Sequence, residues 1–129
     1  MNRILRRVVF FILVIMSFSV IAGRDDDPMA GKEAPVCLID FRIDFAVGRT
    51  ESELDNPGIC RYAVNREAFL GLLSRRPDSE YYENRDVRVK VTFSGDVIYF
   101  IDRNGVVRLG SKKFLIDKQK FIRLIRKVS

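Results

Sequence analysis

Two carboxylates four residues apart, Asp40 and Asp44, are the first candidates for acid–base chemistry in this chain. On an extended strand they share a face, but four steps of roughly 3.3 Å put them about 13 Å apart. Paired glycosidase carboxylates stand roughly 5–9.5 Å apart, and here Arg42 lies between the two acids, so a solvated charge ladder is the better reading. Asp102-Arg103-Asn104-Gly105 carries the opening residue types of a calcium loop. Such a loop needs glycine at its sixth position and glutamate at its twelfth; here glycine is already fourth and no glutamate follows Glu83. The chain has no histidine, which excludes Ser-His-Asp and Cys-His catalysis and any His-ligated metal. Its two cysteines cannot build a four-cysteine zinc site or an iron–sulfur cluster within one chain. No glycine-rich phosphate loop or Gly-x-Ser-x-Gly elbow is present, and Ser111 and Lys112 are neighbours in a turn. No enzyme, cofactor or metal is expected.

The residues that point to recognition are of another kind. Tyr81 and Tyr82 are adjacent in a polar stretch, residues 77–86, that also holds Asp78, Glu80 and Glu83. Loop tyrosines make good contact anchors, with large area and few rotatable bonds. A second acidic loop, residues 48–58, carries Glu51, Glu53 and Asp55 and could extend the same surface, since acidic residues speed association with a basic cleft. Lys120, Arg123, Arg126 and Lys127 form the opposite candidate, a basic arc on a C-terminal helix that could meet anionic lipid or glycan.

Those side chains must be placed in a compartment. Residues 1–7 hold Arg3, Arg6 and Arg7 and no acid, residues 8–21 are apolar except Ser17 and Ser19, and Ala22 offers a small residue for cleavage. That is the pattern of a secretory signal peptide, removed near Ala22, and its apolar run is shorter than the roughly 20 residues a spanning helix needs. The expected location is the periplasm or outside a bacterial cell. Export makes a disulfide the default for Cys37 and Cys60. Closing that loop is worth roughly 3 to 3.5 kcal/mol by the chain-entropy argument. Without the three leader arginines, the net charge of +6 falls to +3. The charge is also divided: residues 23–102 carry −5 and residues 103–129 carry +8. Export and the modest net charge argue against nucleic acid as partner.

The elements follow from periodicity. Residues 23–36, with three aspartates, read as an acidic flexible linker, and residues 37–129 as a single domain. From Cys37 to Val47 apolar and polar residues alternate, predicting one long strand with Cys37 on its core face. Asn65 is placed to cap a short helix over 65–75 that Pro77 ends. Residues 87–93 alternate again, with Arg88 and Lys90 on the wet face. Residues 97–102 are apolar on both faces, and Asn104-Gly105 predicts a type I′ hairpin with positive φ at both positions. Residues 106–109 return, and 113–116 add a short edge strand. Asp117 caps a final helix running to Val128, whose Phe121, Leu124, Ile125 and Val128 share one arc. The order is β-α-β-β-β-α, an α+β fold in which helices cover one face of a small, mostly antiparallel sheet.

An export signal, a small disulfide-closed α+β domain and no catalytic set together give a form similar to exported inhibitor and toxin-immunity proteins of bacteria. This is a likeness of kind, without a diagnostic motif. It implies a binding protein that occludes another protein, a toxin or a hydrolase. The alternative is an envelope-surface factor that docks through the basic helix.

Overall fold

The computed structural model describes residues 32–128; the stretch read as a signal peptide, the cleavage expected near Ala22 and the Asp25–Asp27 run lie outside the described residues. The chain runs β1 (Glu33–Leu38), a single 3-10 turn (Glu51–Leu54), β2 (Tyr62–Asn65), α1 (Arg66–Leu72), β3 (Ser74–Arg76), β4 (Val87–Thr92), β5 (Ile98–Asp102), β6 (Val106–Leu109), β7 (Lys112–Leu115), α2 (Lys118–Leu124) and β8 (Arg126–Lys127). The strands form one antiparallel eight-stranded sheet in the order β3-β7-β6-β5-β4-β1-β2-β8. With two helices, this is an α+β fold.

The connections dictate the sheet's shape. α1 leads from β2 to β3, and these strands are six inter-strand spacings apart, about 29 Å along a flat sheet at ~4.8 Å each. Seven helical residues and the extended steps flanking them reach only about 17 Å. α2 faces the same mismatch between β7 and β8. The sheet must therefore curl around the helices. Phe69 of α1 and Phe121 of α2, both fully buried, meet inside that curl with ring centroids 5.8 Å apart. Phe69 also meets Tyr99 at 5.2 Å and Phe93 at 6.0 Å. Val36, Val89, Val91, Ile101 and Val107 complete the lining.

Both helices start where the sequence places caps. The Asn65 side chain accepts from the Ala68 amide at 2.9 Å, and Asp117 accepts from the Gln119 and Lys120 amides at 3.0 and 3.1 Å. Both stop earlier than their apolar periodicity suggests. Leu73 and Ile125 turn extended, because the next residues join the sheet edges as β3 against β7 and β8 against β2. Arg126 and Lys127 thus belong to a strand, and the four basic residues expected on one helical arc do not share a helix.

The first strand is also displaced. It begins at Glu33, inside the stretch read as linker, with Ala34 and Val36 fully buried, and it ends at Leu38 rather than Val47. Asp40 breaks it: its carboxylate accepts from the Arg42 amide at 2.8 Å, a local side-chain turn that competes with sheet pairing. Register then moves Cys37 off the helix-covered face. Val36 pairs with Val91 and Leu38 with Val89, whereas Cys37 sits opposite Lys90 on the other face. There it forms the disulfide with Cys60. That face is covered by residues 50–60, which press Leu54 fully out of solvent. The cover is tied down by an Asp55–Lys90 ion pair and by Arg108 gripping Glu51 at 2.6 and 2.7 Å.

The hairpin between β5 and β6 forms, but not as type I′. In this turn Gly105 alone takes a positive φ, 85°, and no non-glycine among the described residues does. The Gly105 amide donates to the Asp102 carbonyl at 3.2 Å, and Asp102's own carboxylate fixes the turn, so Asn104 needs no left-handed conformation.

Candidate functional site

Three connections meet at one end of the sheet: residues 39–50, residues 77–86, and the turn 102–105. Residues 77–86 are polar, residues 39–50 include most of the stretch whose alternation predicts a strand, and two buried charged side chains lock the three segments together. Arg88 is the first. Expected on a wet face, it is fully buried, at a shift in the β4–β5 register between Val87 and Val89 and under loop 39–50. Its guanidinium donates to Asp86 at 2.7 and 3.3 Å and to the Asp40 carbonyl at 2.6 Å. It also lies 5.0 Å from the centre of the Phe45 ring, with Arg49 at 5.2 Å from the same ring. A cation taken out of water survives only with such partners, so Arg88 holds loop 39–50 in place from beneath.

Asp102 is the second. Its Oδ1 accepts from the Asn104 and Val106 amides at 2.8 and 2.9 Å, and its Oδ2 accepts from the Glu83 amide at 2.8 Å. Burial pushes its carboxyl above the ordinary value, against the pull of those three amides. One side chain thus shapes the hairpin and anchors loop 77–86. The loops also touch directly. The Val87 amide donates to the Arg49 carbonyl at 2.7 Å, the Arg103 amide to the Asp86 carbonyl at 2.9 Å, and Arg103 pairs with Asp44. Gly48 is required at this seam, since a Cβ there would collide with the Arg85 carbonyl oxygen.

The two tyrosines separate. Tyr82 turns inward, its hydroxyl donating to Glu51 at 2.9 Å beneath the Arg108 guanidinium; burial, then the Glu51 bond, raises its pKa. Tyr81 is 69% exposed and its hydroxyl donates to Glu83 at 2.5 Å, a bond that raises the phenol and lowers the carboxyl. Two further large apolar side chains stand out from loop 39–50, Val47 at 80% and Ile43 at 46% exposure. Their alternating pattern reads as strand interior in the sequence, so the signal that would mark them as surface, the turn at Asp40, is hidden.

The remaining acidic candidates are engaged in their own structure. Glu53 accepts from the Thr50 amide and hydroxyl at 3.1 and 3.0 Å and from Arg49 at 3.2 Å, which together lower its pKa. Glu80 lies 3.6 Å from Arg76, and Asp55 pairs with Lys90. The structure therefore joins the loops bearing Glu51 and Tyr82, and places Tyr81 beside Glu83. It does not gather Glu53, Asp55 and Glu80 into one open acidic patch. Asp40 and Asp44 likewise answer to different arginines, Arg42 and Arg103. On the other candidate surface, Arg126 is taken by Glu33 at 2.7 and 3.2 Å. Lys120 and Arg123 project from α2.

Among the described residues no group of three or more His, Cys, Asp or Glu side chains could hold a metal ion, and no helix is long and apolar enough to cross a membrane. The disulfide fits an oxidising compartment. The class defined by fold and site is a disulfide-closed α+β domain with a braced loop cluster at one sheet end. The chain matches no family model, no curated protein and no solved structure.

Proposed function

We propose that this chain is an exported binding protein, of the inhibitor or immunity kind, that occludes a partner protein with the loop cluster at the end of the sheet where β5 turns into β6. Its apolar and aromatic projections, Tyr81, Val47 and Ile43, are the contact residues, and its activity is steric. The observation that carries the reading is Tyr81, a mostly exposed ring on a loop whose backbone is held by the buried Asp102 carboxylate. A large side chain on a braced support binds with little loss of conformational freedom. Export rests on the basic, apolar and small-residue order of residues 1–22. Since most acidic side chains nearby already have cationic partners, apolar contact rather than long-range charge is the main source of affinity.

The test is affinity capture from envelope extract with the oxidised chain, followed by titration of the captured protein against variants. Tyr81→Ala should weaken binding by about 2 kcal/mol, roughly thirtyfold, and Val47→Asp should weaken it comparably. Tyr81→Ala should leave thermal stability unchanged. A captured protein that binds both variants as tightly as the original chain would refute this surface.

A further inference from the structure

A groove of about 750 Å³ opens between α2 and the β1–β2 side of the sheet. Its apolar lining comes from Leu38, Phe41, Tyr62, Ile122 and Ile125, and Ile122 remains 41% exposed. The charged residues on its rim are unequal. Asp40 is already committed to Arg42, through bonds of 2.8 and 3.1 Å. Lys118 stands 5.5 Å over the Phe41 ring and donates to the Arg103 carbonyl at 3.1 Å, with no carboxylate partner among the described residues. Arg123 makes no hydrogen bond or ion pair among the described residues. The groove thus combines an apolar lining with two cations that no carboxylate among the described residues neutralises. Its volume falls in the range of small-molecule sites, roughly 300–1,000 Å³.

We infer that this groove takes one molecule of a single-chain anionic amphiphile, a long-chain fatty acid, with the acyl chain along Ile122, Phe41 and Tyr62 and the carboxylate at Arg123 and Lys118. Volume favours a single chain, because about 750 Å³ lies within the range of sites that hold one small ligand. Charge selects an anion, because a guanidinium without a partner gains most from a carboxylate, which it can hold through two parallel bonds. This inference stands apart from the loop-cluster reading, whose contact residues are Tyr81, Val47 and Ile43.

The experiment is equilibrium binding of radiolabelled palmitate to the full oxidised chain at submicromolar ligand, with hexadecanol as the uncharged probe. The expected result is saturable binding at one site per chain. Arg123→Ala should weaken palmitate about tenfold while leaving hexadecanol unchanged, and Ile122→Asp should abolish both. Both side chains project from the exposed side of α2, and an unchanged thermal midpoint will show that the variants fold. Non-saturable uptake, equal affinity for palmitate and hexadecanol, or undiminished binding by Ile122→Asp would each overturn the assignment. So would binding seen only with vesicles of anionic diacyl phospholipid.

Discussion

Arg88 and Asp102 show how a single residue sets the structure around it. Each is charged and fully buried, and each links segments distant in the chain. Arg88→Ala would remove three hydrogen bonds and leave the Asp86 carboxylate only the Arg103 guanidinium, 3.8 Å away. The expected loss is about 3–5 kcal/mol, the usual cost of breaking a buried pair from one side, measured by urea unfolding. A loss under ~1 kcal/mol would mean that the pair behaves like a surface bridge. Carboxyl titration followed by NMR separates two acids that move in opposite directions. Asp40 is held down to about 2 by side-chain and backbone hydrogen bonds with Arg42. Its stabilising contribution is therefore present above its ordinary value of 3.8 and is lost as pH falls from there to about 2. Asp102 is raised by burial, so the folded state favours its proton, and its contribution weakens as pH rises through that raised value. Asp40→Asn should flatten the acid limb of the stability profile, and identical titration of the two carboxyls would contradict both assignments.

At the scale of elements, the disulfide and the loop it closes form one unit. Residues 50–60 shield the sheet face opposite the helices through Leu54, and Cys37–Cys60 pins that cover to β1. Replacing both cysteines by serine should cost about 3 kcal/mol, the loop-closure value, and thermal unfolding would report it. Hydrogen exchange should show loss of protection first at residues 50–60 and at the β1–β4 amides. Uniform loss throughout the sheet would show that the cover and the sheet unfold together. The helices, by contrast, owe their starts to their own caps and their ends to their neighbours. Asn65 and Asp117 act over three residues and are legible in sequence. The stops at Leu72 and Leu124 are not, because what ends each helix is a strand partner tens of residues away, β7 for one and β2 for the other.

The whole molecule is assembled from distant pairings. β1 pairs with β4 through Val36 and Val91, β2 with β8 through Tyr62 and Lys127, and β3 with β7 through Arg75 and Phe114. Only the run from β4 to β7 is a local meander. Loop closure must precede the gain from the distant pairs, so refolding of the oxidised chain should take milliseconds to seconds. Stopped-flow fluorescence of the tyrosines would measure it, and a microsecond phase carrying the full amplitude would contradict the topology.

The division between chain and fold follows the range of the forces involved. Sequence alone determined the α+β class, the meander of residues 87–115 and both helix caps, and made a bond between Cys37 and Cys60 the default, because each depends on alternation, local hydrogen bonding or simple counting; that the two sulfurs meet is a property of the fold. Tertiary structure decided the rest. Alternation over residues 37–47 looked like a strand, yet a turn at Asp40 and a buried arginine from β4 made most of it a loop. Adjacent tyrosines with the same propensity diverged because only Tyr82 found Glu51 and Arg108 within reach. Burial, register and edge pairing are properties of surfaces brought together from distant parts of the chain, and no local pattern encodes them.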